Sequence, residues 1–334
     1  MEAHLPTGTG ACRLFDSSST MRAARLTAPR QVEIDEISLP NPGPTQVRVR
    51  VAGCGVCGSN LALWQGRPWF DYPLQPGASG HEGWGEIDVI GEAVHGVRPG
   101  ERIAFLSSHA FAEYDLAEAD FIVRVPEESD IFPGEALGCA VNAMRRSAIQ
   151  QDHTIAIVGI GFLGALLVQL AARQGARVIA ISRRPFALKM ARQCGAWAAI
   201  PFADAPARME ALTGQSTCER VIEAAGAQES LDLAGALIGE RGRLIIAGYH
   251  QEAERRVDMQ QWNWRGIDVV NAHERDPRQY LTGMREAAAA IESGRLEPRA
   301  LYTHSCSLDD LGEAFKLMES RPEGFMKAWI HTGP

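Results

Sequence analysis

Val158-Gly159-Ile160-Gly161-Phe162-Leu163-Gly164 is the stretch on which the fold reading turns. It follows the apolar run Thr154–Val158 and opens the apolar, glycine-free run Ala165–Gln174. That order predicts strand, glycine turn and helix, the context in which G-x-G-x-x-G signals dinucleotide binding. Gly159 permits a tight turn, Gly161 lets the backbone approach a pyrophosphate, and Gly164 lets the helix lie close to the strand. Free N–H groups at the helix start, those of Phe162 and Leu163 among them, and the helix dipole favour the phosphate charge.

Outward from this stretch, residues 152–272 alternate strand and helix patterns. Strands are expected at Thr154–Val158, Arg177–Ser182, Trp197–Ile200, Arg220–Glu223, Arg243–Ala247 and Ile267–Asn271, with helices at 164–174, 185–194, 205–213 and 229–238. Six strands joined by crossover helices predict an α/β fold with a doubly wound parallel sheet. Upstream, from Met21 to about Phe121, short strand patterns are punctuated by glycine and proline, which predicts a mostly β unit. A helical pattern begins at Gly134. The tail carries two helix patterns, Tyr280–Ser293 and Leu308–Arg321, and a last strand, Lys327–His331. Residues 1–20 lack periodicity and the order of a signal peptide, and read as a disordered extension.

A nucleotide fold usually ends its second strand in an acid that binds the ribose hydroxyls of NAD. Here that strand ends in Ser182, and Arg183 and Arg184 follow. Without the acid a 2′-phosphate meets no repulsion, and two guanidiniums and a hydroxyl offer charge-assisted donors. The reading therefore favours NADP(H) over NAD(H), against the plainer alternative of a solvated helix start.

Composition excludes several classes. The formal net charge is −8, so no broad basic surface is available for nucleic acid. No apolar run approaches the ~20 residues of a membrane span. Seven cysteines are odd in number and scattered, which argues against a disulfide framework and suits a reducing cytoplasm.

Three separated segments carry candidate metal ligands: Cys57 in Gly53-Cys-Gly-Val-Cys57-Gly-Ser59-Asn60, His81 in Gly80-His81-Glu82-Gly-Trp-Gly85, and Glu135 in Pro133-Gly-Glu135-Ala-Leu-Gly-Cys139. Thiolate, imidazole and carboxylate are the ligand types of an open catalytic zinc site. Singly, each has a plainer role as a buried thiol, a turn histidine or a helix-start acid. Glu135 and Cys139 are four apart on a helix and face the same way, so either could supply the third ligand.

With these motifs the chain resembles the zinc-containing medium-chain dehydrogenase/reductase family, the alcohol, sorbitol and threonine dehydrogenase group. The resemblance covers roughly residues 21–334. Gly55-Val-Cys57-Gly-Ser59 and Gly80-His81-Glu82-Gly-x-Gly85 are similar to its first two ligand segments, and Glu135-Ala-Leu matches the third-ligand segment of its polyol branch. Gly242-Arg-Leu-Ile-Ile-Ala-Gly248 and Arg321-Pro-Glu-Gly-Phe-Met-Lys327-Ala fit as well.

The resemblance implies a GroES-like catalytic domain, residues 21–143 and 274–334, around a Rossmann domain, residues 144–273. It implies one zinc held by Cys57, His81 and Glu135, with Cys139 as a packed neighbour, Ser59 as proton relay and Glu82 adjoining the metal. The implied reaction is hydride transfer between NADP(H) and a secondary alcohol or ketone, with a polyol, sugar or related metabolite as substrate. A homodimer paired through edge strands near Arg243–Ile246 and Ile267–Val270 is also implied. Three departures stand out. No cysteine-rich lobe follows Gly100-Glu-Arg-Ile, so no structural zinc is expected. Asn60 replaces a usual aspartate, and Ala62 replaces a relay histidine. The alternatives are a metal-free enone or quinone reductase and a nucleotide-binding protein without turnover.

Overall fold

The structure, a computed structural model, describes residues 20–333. The chain opens with the antiparallel pair β1 (Thr20–Ala28) and β2 (Gln31–Ser38). Thr20, expected within the extension, is the first residue of β1 and pairs with Ser38, because the strand alternation reaches back to it. The rest of that extension lies outside the described residues.

β3 (Gln46–Gly55), the short helix α1 (Asn60–Trp64), β4 (Glu82–Ile90), β5 (Arg102–Phe105), β6 (Tyr114–Glu118) and β7 (Ile122–Arg124) follow. β3 buries alternate residues Val47, Val49 and Val51 in a core shared with Ile103, Phe105 and Trp64. α2 (Gly134–Ser147) then leads to the second sheet.

That sheet is built from β8 (Thr154–Val158), α3 (Phe162–Arg173), β9 (Arg177–Ser182), α4 (Pro185–Gln193), β10 (Ala198–Pro201), α5 (Ala205–Thr213), β11 (Cys218–Glu223), α6 (Gln228–Leu237), β12 (Ile238–Ile246), α7 (Met259–Arg265) and β13 (Asp268–Asn271). Its six parallel strands lie in the order β10-β9-β8-β11-β12-β13. Both faces are covered, so the central strands are apolar throughout. Ile155 and Ile157 of β8 pack into one core with α2 and α3, while Ala156 and Val158 pack into another with α6. The order reverses between β8 and β11, and the crevice outside their carboxyl ends is where such sheets bind ligands.

The chain closes with α8 (Pro277–Glu292), β14 (His304–Ser307), α9 (Leu311–Ser320) and β15 (Ala328–His331). β14 and β15 rejoin the first sheet in the order β14-β15-β3-β4-β5-β7, with β6 also on β3. The C-terminal segment thus returns beside the candidate ligand segments. α8 starts three residues earlier than the apolar pattern implies, because Pro277 occupies its first turn and Asp276 caps it through the Arg278 N–H at 2.9 Å.

One expectation needs correction. β12, read as an edge strand, pairs on both sides with β11 and β13, so only β13 leaves an open edge at that end of the sheet. Among the described residues no helix is long and apolar enough to cross a membrane.

Candidate active site

β3 ends at Gly55, which pairs with Glu82 of neighbouring β4 and leaves room for no side chain. A Cβ at Gly55 would lie 1.8 Å from Glu82 Oε2. The chain then turns through Val56–Asn60 into α1, presenting Cys57 to the cleft. The turn is fixed by Asn60, which is buried. Its Oδ1 accepts from the Cys57 N–H at 2.9 Å, and its Nδ2 donates to Ser79 O at 3.1 Å and Ser79 Oγ at 2.8 Å. The Ser79 carbonyl also takes a hydrogen bond from His81 Nδ1 at 2.9 Å. A carbonyl only accepts, so Nδ1 carries a proton, and Nε2 is the ring nitrogen left to face the cleft. Asn60 therefore braces both segments through Ser79, in place of the charge an aspartate would bring.

Cys57, His81 and Glu82 bring their ligand atoms within 4.8 Å of one another. Burial works against a charged His81, but the Cys57 thiolate, with Glu135 and Glu82, pushes its pKa up to about 10. The site attracts positive charge, and a metal ion bound there would replace that proton. Sulfur, nitrogen and oxygen donors in one half-buried pocket, on a histidine already oriented through Nδ1, fit a zinc ion.

Glu135, the expected third ligand, lies outside this tightest group, and Glu82 completes it instead. Two contacts separate the carboxylates. Glu82 is bound to Lys327, whose Nζ lies 2.5 Å from Oε2 and donates to Oε1 at 2.8 Å. Glu135 forms no salt bridge among the described residues. Burial raises its pKa, opposed by His81, and Cys139 Sγ donates to its Oε1 at 3.2 Å. Burial and Glu135 likewise push the Cys139 thiol well above its usual range, which keeps it protonated and a poor ligand. Ser59 Oγ stands 3.4 Å from His81 Nε2 on the cleft wall.

The same cleft, about 880 Å³, runs from these residues to the glycine turn after β8. Gly159 has φ +100°, and a Cβ at Gly164 would come within 2.1 Å of the Gly159 carbonyl, so both positions require glycine. A Cβ at Gly161 would meet nothing within 4 Å, because that residue faces the open cleft. Gly161 caps α3, so the free N–H groups of Phe162 and Leu163 begin the helix at this opening. The cradle suits a pyrophosphate.

At the end of β9 and just beyond it, Ser182, Arg183 and Arg184 all line the cleft. Ser182 Oγ accepts from the Arg184 N–H at 3.2 Å. Arg183 is exposed, its guanidinium 5.9 Å from the Phe202 ring. Arg184 departs from the expectation of a free phosphate donor. It donates to Phe325 O at 2.7 Å and Ile160 O at 3.1 Å, and so braces the glycine turn against the C-terminal segment.

Several contributors have no clear local signature. Lys327 sits in a recognisable segment, but its partner Glu82 is 245 residues away. At the end of β11, buried Glu223 accepts from the N–H groups of Ala225 and Gly226, from Ser230 Oγ, and from His250 Nε2 at 2.9 Å. These bonds outweigh burial and hold its pKa below the usual carboxylate range. Arg255 Nε donates to His250 Nδ1 at 2.9 Å, which locks the loop after β12. From that loop Gln251 donates to Gly58 O at 2.9 Å, across the cleft beside Cys57.

Two sequence-family models match the chain. One described as "Zinc-binding dehydrogenase" matches residues 163–289, and one described as "Alcohol dehydrogenase GroES-like domain" matches residues 43–127. A sorbitol dehydrogenase from Halalkalibacterium halodurans is 24% identical over 324 residues, covering 86% of this chain and 92% of that protein. A structure described as a zinc-binding dehydrogenase from Sinorhizobium meliloti 1021, bound to NADP, superposes with a TM-score of 0.81 at 26% identity, covering 94% of this chain and 100% of that one. An Escherichia coli CFT073 alcohol dehydrogenase complexed with NADH shares the fold, with a TM-score of 0.84 at 23% identity over 94% of this chain and 100% of that one.

Proposed function

Because this chain belongs to the zinc-type medium-chain dehydrogenase/reductase family, we propose that it transfers a hydride between NADP(H) and a secondary alcohol or its ketone. A polyol, sugar or related hydroxylated metabolite is the substrate class. Residues 21–143 and 274–334 form the catalytic unit and 144–273 the nucleotide unit, a division that the separate seven-stranded and six-stranded sheets support.

The observation that carries this reading is the convergence, in one cleft, of Cys57 and His81 with the Gly159–Gly164 cradle. Cys57, His81 and Glu135 would hold the zinc. Glu135 is preferred to Glu82 because Lys327 already neutralises Glu82, whereas Glu135, half-buried, forms no salt bridge among the described residues. When bound, zinc supplies Lewis acidity that makes a hydroxyl a stronger acid, and the nicotinamide supplies the hydride acceptor.

The chain's own residues do the rest. Ser79 and Asn60 hold His81 and Cys57 in register. Ser59, on the cleft wall, takes the hydroxyl proton and passes it outward, since Ala62 offers no relay. Lys327 keeps the Glu82 charge from adding to the negative field at the reacting carbon. Gln65, Asn142, His273, Glu274 and Tyr280 line the same cleft, a wall with several hydrogen-bonding groups that suits a hydroxylated substrate.

The test is a panel of polyols, sugars and simple secondary alcohols with NADP⁺ or NAD⁺, followed at the absorbance of the reduced nicotinamide. The expected result is turnover of at least one polyhydroxylated alcohol, with kcat/KM at least about tenfold higher with NADP⁺, or ~1.4 kcal/mol of discrimination. Absence of turnover with every alcohol and ketone in both directions would overturn the reading.

A further inference from the structure

The carboxyl end of α9 is closed by Arg321 in the left-handed conformation, φ 47° and ψ 60°. Glycine or asparagine usually takes that position, because a Cβ is disfavoured there. The unusual cap sets an arginine on the cleft wall contributed by the C-terminal segment, in the cleft that Ser182, Arg183 and Arg184 also line. Among the described residues, none of these three arginines is ion-paired with a carboxylate.

They act on one another instead. Burial, and then Arg183, make the charge on Arg321 less favourable; burial, and then Arg321, do the same for Arg184, with only partial relief from Glu323. Three guanidiniums lining one cleft with no carboxylate salt-bridged to any of them are a site for a multiply charged anion. Arg184 is spent on two main-chain carbonyls; Arg321 gives only its Nε, to Met318 O at 3.3 Å, so its terminal nitrogens and Arg183 are left to grip one.

We propose that Arg321, together with Arg183, grips the 2′-phosphate of NADP(H), an inference that rests on the coenzyme reading above. Arg183 stands on the unit that carries the glycine turn, and Arg321 on the segment that carries Lys327. A dianion between them cancels their repulsion, and NAD(H), which lacks that phosphate, leaves it in place.

Arg321→Asn tests this, because asparagine tolerates the left-handed cap and spares the fold. Dissociation constants for NADPH and NADH are measured by fluorescence titration of the full-length wild type and variant, with thermal unfolding of each and Arg321→Lys as a charge-retaining control. The expected result is a loss of about tenfold or more in NADPH affinity, NADH affinity within about twofold of wild type, and substantial recovery with lysine. A wild type that prefers NADPH and a variant that keeps the same ratio would overturn the role of Arg321 alone. Equal weakening of both coenzymes would make Arg321 a structural cap and overturn it too. A wild type that binds NADH as tightly as NADPH would overturn the coenzyme reading along with this inference.

Discussion

Cys57→Ser is expected to lower kcat/KM by about 10³-fold or more, while the protein still unfolds in a transition close to that of the wild type. Removal of a Lewis acid forfeits several kcal/mol of transition-state stabilisation, and each ~1.36 kcal/mol is tenfold in rate. A serine hydroxyl is nearly isosteric with the thiol but does not ionise near neutral pH, so it is a far poorer zinc ligand. Cys57 stands half-buried on the cleft wall and its N–H remains bonded to Asn60, so little packing changes. Steady-state rates with zinc assay of the same samples check this. Wild-type rates from a zinc-free Cys57→Ser protein would refute it. Glu135→Gln and Glu82→Gln, measured in parallel, separate the two carboxylates. Loss of zinc is expected with the first and largely retained zinc with the second.

The second large effect is on stability. Lys327→Met is expected to destabilise the chain by ~3–5 kcal/mol in urea, because removal of one partner of a buried pair strands the other charge. Lys327 is 3% exposed and Glu82 1% exposed, with Nζ 2.5 Å from Oε2. The pair joins the segment before β15 to β4, and the ammonium also lies 4.9 Å from the Phe162 ring at the start of α3. Burial opposes the ammonium, yet Glu82 with Cys57 holds the Lys327 pKa above its usual value, so the lysine is charged at neutral pH. Adding Glu82→Gln to the lysine variant removes the stranded charge and is expected to restore part of the loss. A cost below about 1 kcal/mol for Lys327→Met, the scale of exposed pairs, would show that the pair is not effectively buried.

Local pattern carries a great deal of this molecule. β8 and β9 run over the expected residues because a strand buried on both faces is a continuous apolar run ended by a polar or turn residue. The glycine turn was legible because each glycine answers a separate steric demand. The short elements α1, β6, β7 and β14, of three to five residues, leave too few periods to register. The mistaken edge position of β12 has a different origin. Strand order is set by crossovers, and no residue within a strand encodes its neighbours.

At the site, residue types and spacing point to Cys57 and His81, whereas other side chains of the cleft take partners far off in sequence. Lys327 reaches Glu82 from the other end of the chain, and His250 meets Glu223 from a loop 27 residues away. The choice between Glu135 and Cys139 was open because both share one helix face. Their mutual hydrogen bond, with burial holding the thiol protonated, is a fact of packing. Arg321 stands in sequence as one residue of a closing motif, and its left-handed cap is visible only in the backbone.

Zinc content of the purified wild-type chain, measured by mass spectrometry of the metal after exhaustive dialysis against metal-free buffer, tests the central claim most directly. A catalytic centre built on Cys57, His81 and Glu135 predicts about one equivalent of zinc per chain. Less than about a tenth of an equivalent, in protein that still oxidises an alcohol with NADP⁺, would contradict it.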